Sequence, residues 1–274
     1  MPSTAIISLR SLHSGKIRRS FHCLMHPVLL EKIAVVAPDL SAGLHGSNMM
    51  NAFSISPVMG VRKDEIQANQ SVWVRIGLLN DEMESIFIDT MERGLWKEPV
   101  QIEDFRFAVE SIAFGKQDGN PWSGGESFED LVIHSTPKDR VLLRIESPMA
   151  FKRGDLHYPL PDPVLVFGNL LRRWNELAPF KFPDFPVLDS VSYSFIDIKT
   201  APYPLRKGGT ILGCTGKLIF IFKAAPPDLS FLNLLLNFGF YSGIGVKTSQ
   251  GMGMCRVIHS DNDRKPKQHT RSTF

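Results

Sequence analysis

Residues 71–94 read SVWVRIGLLNDEMESIFIDTMERG. Ser71–Leu79 alternates, which is the period of a half-buried strand. Asp81–Arg93 then carries Met83, Ile86, Phe87 and Met91 at helical spacing. Asp81 is the expected N-cap and Gly94 the expected stop. Upstream, Ala5–Leu9 and Ala52–Met59 read as strands. Between them Phe21, Leu24, Val28, Ile33 and Val36 mark a helix entered at Ser20 and closed by Pro38. Downstream, Val100–Phe114 is long and alternating. The order is strand, helix, strand, strand, helix, strand.

Residues 115–138 interrupt this order with the turn chemistry of GKQDGNPWSGG and a short helical stretch at Ser127–Ile133. The pattern then repeats. Arg140–Glu146, Ser190–Ile198, Thr215–Phe222 and Gly253–His259 read as strands, and Val164–Leu177 and Asp228–Asn237 as helices. The expected fold class is therefore α+β, with two tandem ferredoxin-like βαββαβ domains. Residues 1–118 form the first, 119–138 a linker and 139–259 the second. Residues 260–274, polar and with Pro266, are expected to be a disordered basic tail.

The 274 residues carry 31 Lys+Arg against 28 Asp+Glu, a formal net charge of +3. That is too little to identify a polyanion-binding protein from its total. The distribution is uneven, however. Residues 1–60 have a net charge of +3, residues 61–148 a net of −7 and residues 201–258 a net of +5. Four of the eight histidines also fall in the first 60 residues. Two basic ends around an acidic middle predict one cationic cleft on a body whose other face is acidic. Cys23, Cys214 and Cys255 are odd in number and widely spaced, which excludes a disulfide framework and a zinc knuckle. With no apolar signal segment and no long apolar stretch, the expectation is a soluble cytoplasmic protein.

The most distinctive segment is Gly239–Val257, GFYSGIGVKTSQGMGMCRV, with Lys247 between two glycine pairs. Glycine loops can present consecutive N–H groups to phosphates. A dinucleotide fingerprint fails, because these glycines do not join a first strand to a helix, and a Walker loop fails for want of G-K-[ST]. The segment resembles the C-terminal glycine-rich loop of the CRISPR-associated RAMP endoribonucleases that cut precursor CRISPR RNA at each repeat. Three further stretches, in the right order, resemble the same family: Pro38–Gly60, with Leu44-His45 and Phe53; Ile145–Phe151, IESPMAF; and Phe167–Trp174, FGNLLRRW. The resemblance covers most of the chain. It implies two RAMP/RRM-like domains, a sequence order already read independently.

It also implies a reaction without metal or cofactor. A ribose 2′-OH attacks the adjacent phosphate and leaves a 2′,3′-cyclic phosphate, which requires a base, an acid and a cation. His45 occupies the family's Leu-His position and is the expected catalytic residue. His26 is the expected second one, on the first helix with His22 one turn before it. That pair could alternatively offer two ligands to a metal, but no third ligand is placed to complete a site. The tyrosine and lysine of some members are not matched, since Leu30 and Asn51 stand there. The charge-stabilising group is then sought among Lys16, Arg18 and Arg19, or in a protonated His26. Expected RNA contacts are Lys247, the backbone of Gly243, Gly245, Gly251 and Gly253, the pair Lys152 and Arg153, and the pair Arg206 and Lys207. Of Arg172 and Arg173, one is expected to face solvent and the other to reach RNA. The expected partner is CRISPR repeat RNA, precursor and mature. Other subunits of an interference complex and a homodimer stay open. So does the alternative of a non-catalytic RAMP subunit that holds guide RNA.

Overall fold

The computed structural model describes residues 1–18, 21–40, 52–61, 64–183, 188–206 and 208–258. In chain order the strands are β1 (Ser3–Ser11), β2 (Gly15–Lys16), β3 (Phe53–Ile55), β4 (Glu65–Ile66), β5 (Ser71–Leu78), β6 (Val100–Ile102) and β7 (Phe105–Phe114). They continue with β8 (Arg140–Met149), β9 (Phe151–Arg153), β10 (Leu156–Tyr158), β11 (Val191–Pro204), β12 (Thr210–Phe222) and β13 (Cys255–Ile258). The helices are α1 (Met25–Val36), α2 (Asp81–Glu92), α3 (Phe128–His134), α4 (Pro163–Leu177) and α5 (Pro226–Ser242).

The first main sheet runs β3-β5-β1-β7-β6 and the second β11-β12-β8-β13, all neighbours antiparallel. In each sheet the second and fourth strands of the βαββαβ unit flank the third and first, β3-β5-β1-β7 and β11-β12-β8-β13, so the ferredoxin-like arrangement occurs twice. Two local readings are refined. The cap of α2 is Asn80, whose side chain accepts from Met83 N; Asp81, Glu82 and Glu84 fill the first turn, where the helix dipole favours acids. The expected strand 100–114 is a hairpin, folded at Glu103, which takes a φ of 52°. Pro27 sits in the first turn of α1, where no backbone hydrogen bond is lost.

Each unit has its own core, but the two cores exchange residues. Ala150, Tyr203, Ile211 and Met252 of the second unit join the first core, and Leu79 of the first joins the second. The 119–138 segment is also built in. Phe128 and Leu131 of α3 belong to the second core, and Thr4 and Gly124 exchange side-chain and backbone hydrogen bonds.

The units meet at the C-terminal end of α5, whose last carbonyls lack helical partners. Residues of the first unit supply them. Ser54 Oγ donates to Tyr241 O at 2.6 Å, and Arg75 Nη2 to Phe240 O at 2.6 Å. Arg75 Nε donates to Trp122 O at 3.0 Å, and its guanidinium lies 4.1 Å from the Phe240 ring centre. Burial pulls the Arg75 pKa down to about 10, which leaves it charged at neutral pH. Gly77 permits this approach, because a Cβ there would lie 2.2 Å from Tyr241 O. No described helix is long and apolar enough to cross a membrane.

Candidate nucleic-acid interface

A cleft of about 690 Å³ opens between the units. Arg18, His22, Asp64 and the turn Pro57–Val61 form one wall, and Glu146–Pro148, Pro202–Pro204 and Thr210 form the other. Its position follows from three elements. The entry to α1 brings His22, the long hairpin of β11 and β12 brings Tyr203, and the glycine-rich segment closes the space behind them.

His22 is the best-defined titratable group here. Its Nδ1 lies 3.1 Å from Val58 O, a carbonyl, so Nδ1 carries the proton and Nε2 is left as an acceptor. Burial lowers its pKa, and the contact to Val58 and the charge of Asp64 offset this only in part. A neutral imidazole with one nitrogen oriented is suited to accept a proton. Its neighbour Cys23 is buried, which pushes the thiol pKa up, and its sulfur contacts the Arg206 backbone. Arg206 is thereby brought to the same end of α1.

The glycine-rich loop owes its glycines to the protein itself. Gly243 N donates to Gly239 O at 2.9 Å, Gly245 N to Asn169 Oδ1 at 2.8 Å and Gly253 N to Pro148 O at 3.0 Å. A Cβ would lie 2.3 Å from Ala150 O at Gly245, 2.0 Å from Ile244 O at Gly253 and 2.0 Å from the Tyr203 hydroxyl at Gly251. All four glycines are buried. The amides of Gly243, Gly245 and Gly253 are therefore spent on protein acceptors and are not free for phosphate, against the sequence-based expectation. Between residues 243 and 254 only Lys247 is exposed, at the crest of the loop and with a φ of 55°.

The loop ties the cleft together. Tyr203 donates from its hydroxyl to Gln250 O at 2.7 Å, and a Cβ on Gly251 would lie 3.3 Å from His22 O. The turn Thr248–Gln250 packs on β3 and α1. From α4, Asn169 holds Gly245 and Arg173 Nη1 donates to Thr248 Oγ1 at 2.8 Å.

The sequence-based candidates sort as follows. Arg18 lines the cleft, exposed and 3.5 Å from Asp104. Lys152 and Arg153 are exposed on the β9–β10 hairpin, which starts beside Ala150, the acceptor for Val246 N. Arg172 is exposed and Arg173 buried. His26 packs its ring 5.9 Å from that of Phe53 and is not among the residues lining the cleft; His22, one turn earlier, is. His45, Arg19, Lys207 and the 260–274 tail lie outside the described residues. Sequence reading missed Tyr203 and set His22 behind His26. For His22 the available signal was its i, i+4 partnership with His26; for Tyr203 there was none.

Residues 143–255 match the family model for the CRISPR-associated endoribonuclease Cas6. Proteins described as CRISPR-associated endoribonuclease Cas6 are 31% identical over 132 residues in Mycobacterium tuberculosis and 32% over 131 in Streptococcus thermophilus. These alignments take in 46% and 45% of this chain, and only 41% and 53% of the length of those relatives. A solved Cas6 product complex is 26% identical, with a TM-score of 0.76 over 94% of this chain and all of the other. A second one shares the fold at a TM-score of 0.78 and 21% identity, again over 94% of this chain and all of the other. Over residues 143–255 in sequence, and over most of its length in fold, the chain is similar to the CRISPR-associated endoribonuclease Cas6.

Proposed function

We propose that the chain is an endoribonuclease that cuts CRISPR repeat RNA by 2′-OH attack on the scissile phosphate, without a metal, yielding a 2′,3′-cyclic phosphate and mature guide RNA. The observation that carries this reading is His22, a neutral imidazole with Nε2 left as acceptor, in a cleft between two RAMP-fold units beside the glycine-rich loop. His22 takes the role of proton acceptor or of its positioning partner in place of His26. His45, expected on the 41–50 segment, serves as the other proton-transfer group. Arg18, with Arg206 near the same end of α1 and with Arg19 next to it in sequence, supplies cationic charge for the phosphorane. Lys247, Lys152, Arg153 and Lys207 grip the RNA backbone. A 2′-OH nucleophile makes the reaction specific for RNA.

Repeat-containing RNA incubated with the protein in EDTA tests this. Cleavage at one position is expected, with a cyclic-phosphate end, and a fall of about 10²-fold or more in His45→Ala and in His22→Ala. A 2′-deoxy substitution at the cut should abolish it. Tight RNA binding without cleavage between pH 6 and 8 would favour the alternative of a guide-holding subunit. Loss of all cleavage in EDTA, restored by a divalent ion, would overturn the metal-free mechanism.

A further inference from the structure

Arg173 is 5% exposed, and its Nε and Nη2 are buried without a hydrogen-bond partner. Its one hydrogen bond runs to Thr248 Oγ1, directly after Lys247. No carboxylate forms an ion pair with it among the described residues; Glu176, on the same helix, acts on it only at a distance, and Arg172 beside it adds repulsion. A buried charge left in this condition is costly, and an uncharged donor such as glutamine could make the same bond to Thr248. The cost is understandable if something outside the loop completes the charge. The amides of Gly243, Gly245, Val246 and Gly253 are spent on protein acceptors, so the exposed Lys247 and the turn after it are the part of the loop left to meet a phosphate.

We infer that the turn Lys247–Thr248 is a seat for an RNA phosphate, with its positive charge in two layers, Lys247 in contact and Arg173 beneath it acting through Thr248. This rests on the chain being an RNA-binding protein, and it adds a buried positioning residue to that reading. Arg173 does not touch the phosphate. It fixes the turn that presents Lys247 and raises the potential there in a medium where charge is poorly screened.

Two substitutions separate charge from framework while leaving Arg173 in place. Thr248→Val removes the hydrogen bond and keeps the charge; Thr248→Asp keeps a partner and cancels the charge. Binding to repeat RNA is measured at fixed salt, beside thermal unfolding, with Arg173→Gln as a third variant. The expectation is that Thr248→Asp weakens RNA binding about tenfold or more with a Tm at or above that of the parent. Thr248→Val should weaken it about threefold or less with a lower Tm, and Arg173→Gln should follow the Asp variant. The opposite ranking, with binding following Tm across the three, would reduce Arg173 to a framework role and overturn the inference. Absence of RNA binding by the parent protein would instead overturn the function on which it rests.

Discussion

Two buried arginines, Arg75 and Arg173, have similar exposure, 3% and 5%, and different surroundings. Arg75 spans the units with Nε and Nη2 both hydrogen-bonded. It donates to Trp122 O and Phe240 O and lies on the Phe240 ring, itself stacked on Trp122. Of the two carbonyls it meets, Phe240 O is at the negative end of α5, where a cation is favoured. Arg173 supports the glycine-rich loop with one neutral hydrogen bond and two unpartnered nitrogens. One end of the seam is complete within the protein. At the other end two buried guanidinium nitrogens are left without an acceptor. A joint is best made from satisfied groups, and a binding face from groups with capacity left over.

The largest effect should come from the complete end. Gly77→Ala would set a methyl 2.2 Å from Tyr241 O and 2.5 Å from Ser54 Oγ, where backbone has to yield. The expected loss is about 3 kcal/mol or more in denaturant unfolding, with RNA binding reduced only as folded protein is lost. A loss below about 1 kcal/mol would show that the seam is loose.

Gly251→Ala should give the converse. Its Cβ would meet the Tyr203 hydroxyl at 2.0 Å, and the residue holds a φ of 98°. The Tyr203–Gln250 bond would break and the loop would move off the cleft, costing about 1–3 kcal/mol. Cleavage should fall by more than about tenfold in the protein that remains folded. If activity per folded molecule is unchanged, the loop and the cleft are not one site.

The smallest effect concerns pH. His22 has a folded-state pKa below the ordinary 6.5 because burial disfavours its cation. The unfolded chain therefore binds more protons just below pH 6.5, and stability contributed by neutral His22 is lost as pH falls from 6.5 toward the folded value. His22→Gln should flatten the acid side of a Tm-against-pH curve between pH 7.5 and 5. Parallel curves for the two proteins would remove His22 as the titrating group.

Strand and helix order was legible because each element carries its own period and its own stop, as in residues 71–94. The exceptions had local causes. Glu103 turned one long strand into a hairpin by taking a left-handed backbone, which no pattern marks. The small β9–β10 hairpin was not read at all. The reach of β11 to Pro204 was also unread, and with it the placing of Tyr203, since that is fixed by its pairing with β12.

At the site, sequence identified the glycine-rich loop but assigned its glycines to the wrong neighbour. A glycine states that something comes close, and only coordinates say whether it is a ligand or, as at Gly245 and Gly253, another backbone. Similarly, Arg172 and Arg173 are adjacent and identical in type; the helix face that packs on the loop made one a surface charge and the other a buried support. Sequence alone determined the doubled βαββαβ order, the uneven charge and the kinship carried by the loop, all of which depend on neighbours along the chain. Tertiary structure decided which histidine enters the cleft, which arginine lies under the loop and where the units lock. Those outcomes depend on contacts between residues far apart in sequence, as between Arg75 and Phe240 or Tyr203 and Gln250.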